Sequence, residues 1–350
     1  MSPSISIGIL AYNESASIQK TLESLFEQSL INDFRLCENV ELVVVPNGCT
    51  DNTADLCRHL LDKLVSHSPH PRLSWKVCEV AQPGKSNAWN LYVHQFSGSE
   101  AQSLFLMDAD IQFLGSHTLW NMLKILEENA DAWIATDLPV KDIDFKNKKN
   151  LMERLSAQTA GSDIHDICGQ LYCGRADILR KIWLPLDLIV EDGFLRAMIL
   201  TDRFTSPENL DRIRRASDAS HTFEAYTTVS SLIKHEKGIV VGIVINALIY
   251  HYLWANCNSQ QDAGSLIKFN NEQNPLWVRG LIQQTRDQQG WWLIPRSMLS
   301  RRFRRLRYST PLKAALKLPF TGLASLVDLM VFFQANIEIH KRGGVGYWWN

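Results

Sequence analysis

The stretch Ser103-Leu104-Phe105-Leu106-Met107-Asp108-Ala109-Asp110 decides how the rest of the chain is interpreted. Its first five residues are mostly apolar, which predicts a buried central strand of a parallel sheet. Two carboxylates follow where that strand leaves the sheet, and ligands of open α/β sheets bind beyond the carboxyl ends of the strands. One divalent cation, Mg²⁺ or Mn²⁺, fits two such acids together with substrate phosphates. An isolated Asp-x-Asp is more often a pair of solvated acids, so other segments must support the metal interpretation.

Length and composition set the broad class of the protein. The chain has 350 residues, which suits one large domain with an appendage, or two domains. Its formal net charge is −1, so the overall balance indicates no nucleic-acid partner. The 7 cysteines include no Cys-x-x-Cys pair, which predicts reduced thiols in a cytoplasmic protein. The N-terminus has no charged and apolar leader, so we predict no signal peptide.

Strands and helices alternate before the acidic strand. Apolar runs at 5–11, 40–45 and 73–80 predict three strands, each followed by a helical pattern. Ser15 is the expected cap of the first helix, and Thr50 or Asp51 of the second. This alternation predicts a parallel, doubly wound sheet with right-handed crossovers.

The turns after these strands are expected to meet at one edge of the sheet. They lie around Tyr12, Asn47, Lys85 and Asp110. Helix N-termini at that edge favour an anion such as a diphosphate, and Lys85 either adds a positive charge to the site or is simply solvated.

The middle of the chain predicts further elements at the same sheet. Residues 132–136 form a strand, 142–149 a charged loop, and 168–174 a strand and turn whose glycines allow close approach of a ligand. Glu191 and Asp192 begin a helix, where acidic side chains are electrostatically favourable.

Together these segments resemble a family 2 glycosyltransferase with the GT-A nucleotide-diphospho-sugar fold. Five motifs carry the resemblance, in the family's order and over about residues 4–202: Ile7-Gly8-Ile9-Leu10-Ala11-Tyr12-Asn13-Glu14, Val44-Val45-Pro46-Asn47-Gly48-Cys49-Thr50-Asp51-Asn52-Thr53, Gly84-Lys85-Ser86-Asn87-Ala88, Asp108-Ala109-Asp110 and Glu191-Asp192.

The resemblance implies a role for each matching residue. Asp110 is the main metal ligand, and Asp108 faces the ribose or the metal. Asp192 is the catalytic base, and Glu191 assists or orients it. The remaining matches surround the nucleotide-sugar donor: Ala11, Tyr12, Glu14, Asn47, Asp51 and Lys85.

Two departures from the family pattern limit what the resemblance implies. Pro46-Asn47 stands where the family often has an Asp that recognises a pyrimidine, so the usual uridine preference stays open. The Gln-x-x-Arg-Trp motif of many processive members is not found; the nearest stretch is 234–238. That absence argues for transfer of a single sugar.

The chemistry is consistent with these residue types on independent grounds. Sugar transfer needs a cation to stabilise the leaving diphosphate, and two carboxylates can hold one. It also needs a base for the acceptor hydroxyl, which Asp192 can supply. An in-line attack then inverts the anomeric centre.

The resemblance fades after about residue 205. Arg212 to Arg215 is expected to be a polar loop that is solvated or clamps phosphate, and His221, His235 and His251 are expected to be structural rather than metal ligands. Residues 238–254 are apolar but short for a membrane span, which favours buried packing.

The final segment combines basic and apolar residues. No acidic residue lies between Asp287 and Asp328, and the apolar run 312–333 follows the basic cluster. Such a pattern suits an anionic membrane surface, and we favour an interfacial helix over a spanning one. An ordinary helical bundle with a solvated basic face is the alternative. The basic residues are Arg296, Arg301, Arg302, Arg304, Arg305, Arg307, Lys313 and Lys317, with Lys341, Arg342, Tyr347, Trp348 and Trp349 at the end of the chain.

We therefore predict an α/β GT-A domain over 1–230, with a mostly parallel sheet flanked by helices, and a helical, membrane-associated region over 231–350. The expected activity is metal-dependent, inverting transfer of one sugar from a nucleotide-diphospho-sugar to a hydroxyl acceptor at the cytoplasmic face of a membrane. The C-terminal segment alone suggests a lipid or a lipid-linked glycan as the acceptor. A non-catalytic nucleotide-sugar-binding module is the alternative. Nucleotidyl transfer is a weaker one, because the first turn lacks a glycine-rich basic loop.

Overall fold

The computed structural model describes residues 3–142, 163–224, 228–257, 261–306 and 311–342. Most of the predicted loop 142–149 lies outside these ranges. So do the side chains of several basic and aromatic residues of the C-terminal segment, namely Arg305, Arg307, Lys313, Lys317, Arg342, Tyr347, Trp348 and Trp349.

The core of the described structure is a mixed, mostly parallel sheet of eight strands, as predicted from the sequence. Its order is β3-β2-β1-β4-β7-β6-β8-β5, and β1 pairs in parallel with both β2 and β4. Strand β7 is antiparallel to its neighbours β4 and β6. The strands are β1 (Ser4–Ala11), β2 (Asn39–Pro46), β3 (Leu73–Val77), β4 (Ser103–Asp108), β5 (Gln112–Phe113), β6 (Ile134–Lys141), β7 (Leu171–Arg175) and β8 (Ile213–Phe223).

Helices cover both faces of the sheet and form the C-terminal region. The early ones are α1 (Ile18–Phe26), α2 (Ser29–Asn32), α3 (Thr53–Ser66), α4 (Lys85–Leu91), α5 (Thr118–Glu128), α6 (Ala176–Leu179) and α7 (Glu191–Leu200). After β8 come α8 (Val229–Asn256), α9 (Ala263–Gln273), α10 (Trp277–Gln289), α11 (Arg296–Leu299), α12 (Arg301–Leu306) and α13 (Pro311–Arg342).

Several predicted boundaries are wrong by a few residues. Ser17, not Ser15, is the residue before α1, and Asn52, not Thr50 or Asp51, precedes α3. Strand β3 ends at Val77 rather than residue 80, and only an isolated bridge from Asn47 to Val80 continues it. Element ends depend on local turn geometry, which apolar periodicity does not encode.

Strand β4 is buried on both faces, which explains its continuous apolar sequence. Leu104 and Leu106 belong to one apolar cluster, while Phe105 and Met107 belong to the cluster on the other side of the sheet. Side chains alternate between faces along a strand, so only a strand covered by helices on both sides is apolar throughout.

The expectation for Arg212 to Arg215 is wrong. Ile213 begins strand β8, and the Arg212 guanidinium donates to the carbonyls of Ile199 and Leu200 at 3.1 and 2.9 Å. It also lies 4.0 Å from the ring centre of Trp133. Ile213 pairs with the first residue of β6, a strand parallel to β4, so Arg212 lies at the sheet edge opposite the predicted crevice.

Helix α8 packs into the protein. By length and composition alone, α8 and residues Leu318–Lys341 of α13 are each apolar enough to cross a membrane. Half of the most apolar window of α8 is buried inside the structure, against 22% for α13. Val240, Val244 and Ile249 of α8 lie in the same apolar cluster as Phe194 of α7. The division at residue 230 stays a prediction, while the apolar cluster runs across it.

Candidate functional site

The turns after the parallel strands are hydrogen-bonded to one another. The backbone N–H of Asn47 donates to the Ala11 carbonyl at 2.9 Å, which joins the ends of β1 and β2. The buried Asn47 side chain donates to the Gln82 carbonyl at 2.7 Å, which joins the second turn to the third. These bonds place the turns in one crevice at the carboxyl edge of the sheet.

The first turn is shaped by a residue in the left-handed region. Asn13 has φ 55°, a conformation that Asn tolerates better than most residues. Its side-chain oxygen accepts the Thr50 N–H at 2.7 Å. Tyr12, directly before it, is half-buried beside the buried end of β1 at Ala11.

Asp51 lies where it braces the two turns. Its carboxylate accepts the Ser15 N–H at 3.2 Å and the Thr53 hydroxyl at 2.5 Å. Desolvation opposes ionisation, but these hydrogen bonds outweigh it and hold the pKa of Asp51 below its ordinary value. The predicted donor-binding residue thus has structural partners within the crevice wall.

Lys85 lies at the centre of the crevice. Its ammonium is 2.7 Å from Asp108 Oδ1 and 2.9 Å from Glu191 Oε1, and it donates to the Gly169 carbonyl at 3.1 Å. Burial disfavours its charge, but the two carboxylates outweigh that cost, so the pKa of Lys85 lies well above its ordinary value. Lys85 therefore joins the end of β4 to the start of α7.

The acids beside Lys85 carry uncompensated negative charge. Burial, only partly offset by Lys85, raises the pKa of Asp108 to about 7. Asp110 is exposed at the crevice. The crevice walls still remove part of its hydration, and this desolvation together with the negative charge of Glu14 raises the pKa of Asp110. Burial likewise raises the pKa of Glu14, whose carboxylate accepts from the Ser17 hydroxyl.

This set of oxygen donors fits a hard divalent cation, which would relieve the repulsion among the acids. Within the described ranges, no three His, Cys, Asp or Glu side chains are placed to hold a metal together. Asp108 contacts Lys85 through both carboxylate oxygens, so the role of Asp108 and Asp110 as metal ligands stays a prediction.

Glu191 and Asp192 face Lys85 from the other side of the crevice. Asp192 Oδ1 accepts the Gly193 N–H at 2.7 Å. Burial and the charge of Glu191 raise the pKa of Asp192 to about 6. A carboxyl with that pKa can exchange a proton near neutral pH, as a general base must.

Asp137 and Gln170 were not assigned to the site from sequence, and the structure adds contacts for Gly169 and His221. A side chain at Gly169 would lie 2.8 Å from Glu191 Oε1, so the glycine makes room for the acidic pair. Buried His221 has Nδ1 2.7 Å from Asp137 Oδ2 and Nε2 3.4 Å from Gln170 Oε1. Asp137 and Gln170 carry no motif that could have revealed them; polar residues inside an apolar strand pattern are the only signal.

The three histidines differ in position. His221 lies near enough to Asp110 that its positive charge would favour the ionised acid, while its ring nitrogens contact Asp137 and Gln170. His235 and His251 lie on α8, where burial lowers the pKa of His235 and His251 is exposed.

The model of the family described as glycosyl transferase family 2 matches residues 6–183 of this chain. The chain belongs to glycosyl transferase family 2. This match spans about half the chain and includes the crevice up to Lys85, Asp108 and Asp110. Glu191 and Asp192 lie beyond it, so their assignment rests on the motif order and on the geometry.

Solved structures resemble this chain to different degrees. A mannosyltransferase (PcManGT) from Pyrobaculum calidifontis, solved with GDP-Man and Mn²⁺, has a TM-score of 0.56 and 16% identity, over 97% of this chain and 87% of that one. TarS (1–349) from S. aureus has a TM-score of 0.46 and 15% identity, over 97% and 92%. Glucosyl-3-phosphoglycerate synthase from Mycobacterium tuberculosis was solved with Mn²⁺, UDP and glucosyl-3-phosphoglycerate. It has a TM-score of 0.44 and 15% identity, over 70% of this chain and 80% of that one. No curated protein sequence matches this chain. At 16% identity, the likeness to the mannosyltransferase concerns the fold alone.

Proposed function

We propose that this family 2 glycosyltransferase moves a single sugar from a nucleotide-diphospho-sugar to a hydroxyl acceptor, with inversion and with a divalent cation. The observation that carries the proposal is the convergence of acids from the end of β4 and the start of α7 on one crevice, where Lys85 contacts Asp108 and Glu191 directly and its charge acts on Asp110 and Asp192. The crevice lies at the carboxyl edge of the parallel strands, where α/β folds bind nucleotides.

Asp192 is the base in this proposal. Its carboxylate takes the proton of the acceptor hydroxyl, whose oxygen then attacks the anomeric carbon from the side opposite the leaving group. The bond from that carbon to the diphosphate breaks, and its electron pair leaves with the nucleoside diphosphate. A single displacement of this kind inverts the configuration and needs no covalent intermediate.

Asp110 and Asp108 would hold the cation, Mg²⁺ or Mn²⁺. A bound divalent cation supplies positive charge that stabilises the leaving diphosphate. Lys85 partly offsets the negative charge of Asp108 and Glu191 in the absence of ligand. In this proposal the wall for the nucleotide is formed by the turns with Ala11, Tyr12, Glu14, Asn47 and Asp51. The mannosyltransferase solved with GDP-Man and Mn²⁺ supports the donor class and the cation.

A donor panel tests this proposal. Thermal unfolding is measured with UDP-, GDP-, dTDP- and CMP-sugars, with and without Mn²⁺, on the wild type and on Asp110→Ala. A ligand that binds only the native state raises the melting temperature. We expect one nucleotide to give a Mn²⁺-dependent rise that Asp110→Ala abolishes. A rise that persists unchanged in the variant would overturn the metal assignment.

Turnover separates the enzyme from the non-catalytic alternative. Release of nucleoside diphosphate is measured with the donor that the panel selects and with octyl glycosides or water as acceptors. Asp192→Asn should keep donor binding and lose about 100-fold or more in kcat. Donor binding without any turnover by the wild type would favour the binding module.

A membrane surface is the proposed partner of α13. Eight large apolar side chains of this helix are 45–77% exposed, while Val331, Phe332 and Ile339 on the other face are buried. The exposed face extends over about 22 Å along the helix axis. Exposed Arg296 and Arg304 lie on the preceding short helices and complement anionic lipid. The eight are Leu318, Phe320, Leu323, Leu326, Val327, Leu329, Met330 and Phe333.

We propose that the exposed apolar face of α13 binds an anionic bilayer at its cytoplasmic side. All seven cysteines are free thiols, which suits a reducing compartment. A glycosyltransferase held there would have lipid or lipid-linked hydroxyls within reach as acceptors.

Vesicle sedimentation tests the surface. The wild type should sediment with vesicles containing phosphatidylglycerol, and Phe320→Glu with Leu323→Glu should abolish it. Phe34→Glu, a change at a residue that is also 55% exposed but lies on the catalytic domain, is the control. Unchanged sedimentation of the double variant, or a dimer of the wild type that the variant dissociates, would overturn the membrane assignment.

A further inference from the structure

Helix α8 touches the segment that carries the acidic pair. The backbone of Gly242 lies against Val190, the residue directly before Glu191. A Cβ atom at Gly242 would lie 2.2 Å from Val190 Cγ2 and 2.7 Å from its Cβ, closer than atoms can approach. Only a glycine permits this contact, so the helix backbone and the segment are packed as tightly as the chain allows.

Two further side chains of α8 bind the same segment. Asn246 Nδ2 donates to the Val190 carbonyl at 3.0 Å, and the Tyr250 hydroxyl donates to the Gly193 carbonyl at 3.1 Å. Residues 242, 246 and 250 are spaced by four, which places them on one face of the helix. The two hydrogen bonds bracket Glu191 and Asp192 on both sides in the chain.

These contacts are largely shielded from solvent. Asn246 is only 5% exposed, so its amide cannot exchange the Val190 carbonyl for bulk water. The Tyr250 ring stacks on Phe194 of α7, with 5.6 Å between ring centres and an interplanar angle of 21°. Breaking a buried hydrogen bond of this kind leaves the partner carbonyl unsatisfied and lets the segment move.

We propose that Asn246 is a positioning residue for the Asp192 base, with Gly242 and Tyr250 completing the same contact. The inference rests on the proposed function, in which Asp192 accepts the proton. It makes the region after residue 230 part of the active site, because the helix that follows the sheet orients the reacting carboxylate.

The helical region offers a matched control. Asn271 on α9 is also buried, and its Nδ2 donates to the Leu184 carbonyl at 2.9 Å. That bond also joins the C-terminal helices to the segment that leads into α7. Its acceptor, Leu184, lies six residues before Val190. Asn271 Oδ1 also accepts from Trp277 Nε1 at 3.0 Å, so Asn271→Ala should cost at least as much stability as Asn246→Ala, for which we expect about 1–3 kcal/mol. Only Asn246→Ala changes a contact beside the base.

The first experiment measures kcat and the donor KM as functions of pH for the wild type and both alanine variants. We expect Asn246→Ala to lower kcat by about 10-fold or more with the donor KM within about 2-fold, and Asn271→Ala to leave kcat within about 2-fold. Asn246→Leu, which keeps about the same size and removes the donor without adding a charge, should behave like Asn246→Ala. Equal effects of Asn246→Ala and Asn271→Ala on kcat would overturn the proposal.

A second readout does not depend on turnover. The pKa of the Asp192 carboxyl is measured by NMR, with Asp192→Asn used to assign its signal. Charged and titratable neighbours of this carboxyl are Glu191 and Lys85 from the crevice, Cys168 from the turn before β7, and Tyr250 from α8. Release of the segment into water should lower this pKa in Asn246→Ala but not in Asn271→Ala.

The outcomes distinguish the inference from the proposed function beneath it. If Asp192→Asn retains turnover, the base assignment fails, whatever Asn246→Ala does. If Asp192→Asn is inactive while Asn246→Ala keeps the wild-type kcat and the wild-type pKa of Asp192, only the positioning role fails. Donor-induced thermal shifts in each variant show that it is folded. Gly242→Ala, which should displace Val190, provides an independent second variant.

Discussion

Lys85 Nζ lies 2.9 Å from Glu191 Oε1, and this contact joins the third turn of the sheet to the start of α7, far along the chain. The same ammonium reaches Asp108, so one lysine joins an expected metal ligand to the residue directly before the expected base, Asp192. In the absence of ligand, Lys85 supplies positive charge that partly offsets the repulsion among these acids.

Replacing Lys85 by Met should destabilise the protein at neutral pH more than at acid pH. Removal of one partner of a buried ion pair costs about 3–5 kcal/mol, since it leaves an uncompensated charge. The remaining acids then have folded pKa values above their unfolded values, so stability is present at low pH and is lost as pH rises through those values. Urea unfolding at acid and neutral pH measures this, with exposed Lys20→Met as the control. A pH-independent loss would contradict it.

The acidic limb of the kcat profile should follow Asp192. Burial and Glu191 raise the pKa of Asp192 to about 6, and the base acts only when it is deprotonated, so activity should rise with pH through that value. Glu191→Gln removes the negative neighbour and should move the limb to lower pH. Kinetics across the acid and neutral range measures the shift; a limb that moves upward would contradict the assignment.

Removing one member of the buried pair His221 and Asp137 should lower the free energy of unfolding strongly. Both side chains are fully buried, 2.7 Å apart. His221→Ala leaves the Asp137 carboxylate without that partner and should cost about 3–5 kcal/mol. Asp137→Asn keeps the shape and should cost less, about 1–2 kcal/mol. Chemical denaturation measures both free energies of unfolding, and a double variant that is no worse than His221→Ala would support direct coupling.

Asp328 should hold the C-terminal helices together. It accepts from Arg302 at 2.7 Å and from Arg301 at 3.1 Å. Burial opposes its ionisation, but these bonds outweigh that and hold the pKa of Asp328 below its ordinary value. Its contribution is therefore present above the ordinary carboxyl pKa and is lost as pH falls through the lowered value.

Asp328→Asn should thus lower stability at neutral pH by about 1–3 kcal/mol, and the difference from the wild type should shrink in acid. Thermal unfolding across pH measures it. A difference that grows in acid would show that Arg301 and Arg302 are not the partners that stabilise ionised Asp328.

Part of the basic cluster is engaged inside the protein, which leaves Arg296 and Arg304 as the exposed arginines among the side chains described there.

Local patterns predicted the first half of the fold well. The apolar run before Asp108 was expected to be a buried parallel strand, and β4 is buried on both faces because helices cover both. The crevice of four turns was predicted as well, because the carboxyl ends of parallel strands necessarily share an edge.

Long-range contacts were not predictable in the same way. The antiparallel strand β7 enters the sheet beside β4 and brings Gly169 to Lys85, although about sixty residues separate it from β4 in the chain. The segment from Arg212 was expected to be a loop, but strand β8 begins directly after Arg212. The Arg212 guanidinium donates to the carbonyls of Ile199 and Leu200 and lies over the Trp133 ring, so its charge has partners away from bulk water.

The sequence by itself determined the strand pattern, the family and the identity of the acids, because periodicity and motif order are local properties of the chain. The tertiary structure decided which groups face one another: Lys85 between Asp108 and Glu191, and Asn246 on the carbonyl before the base. Such contacts depend on how helices dock. Docking is set by the packing of many side chains at once, and no single segment of the sequence carries that information.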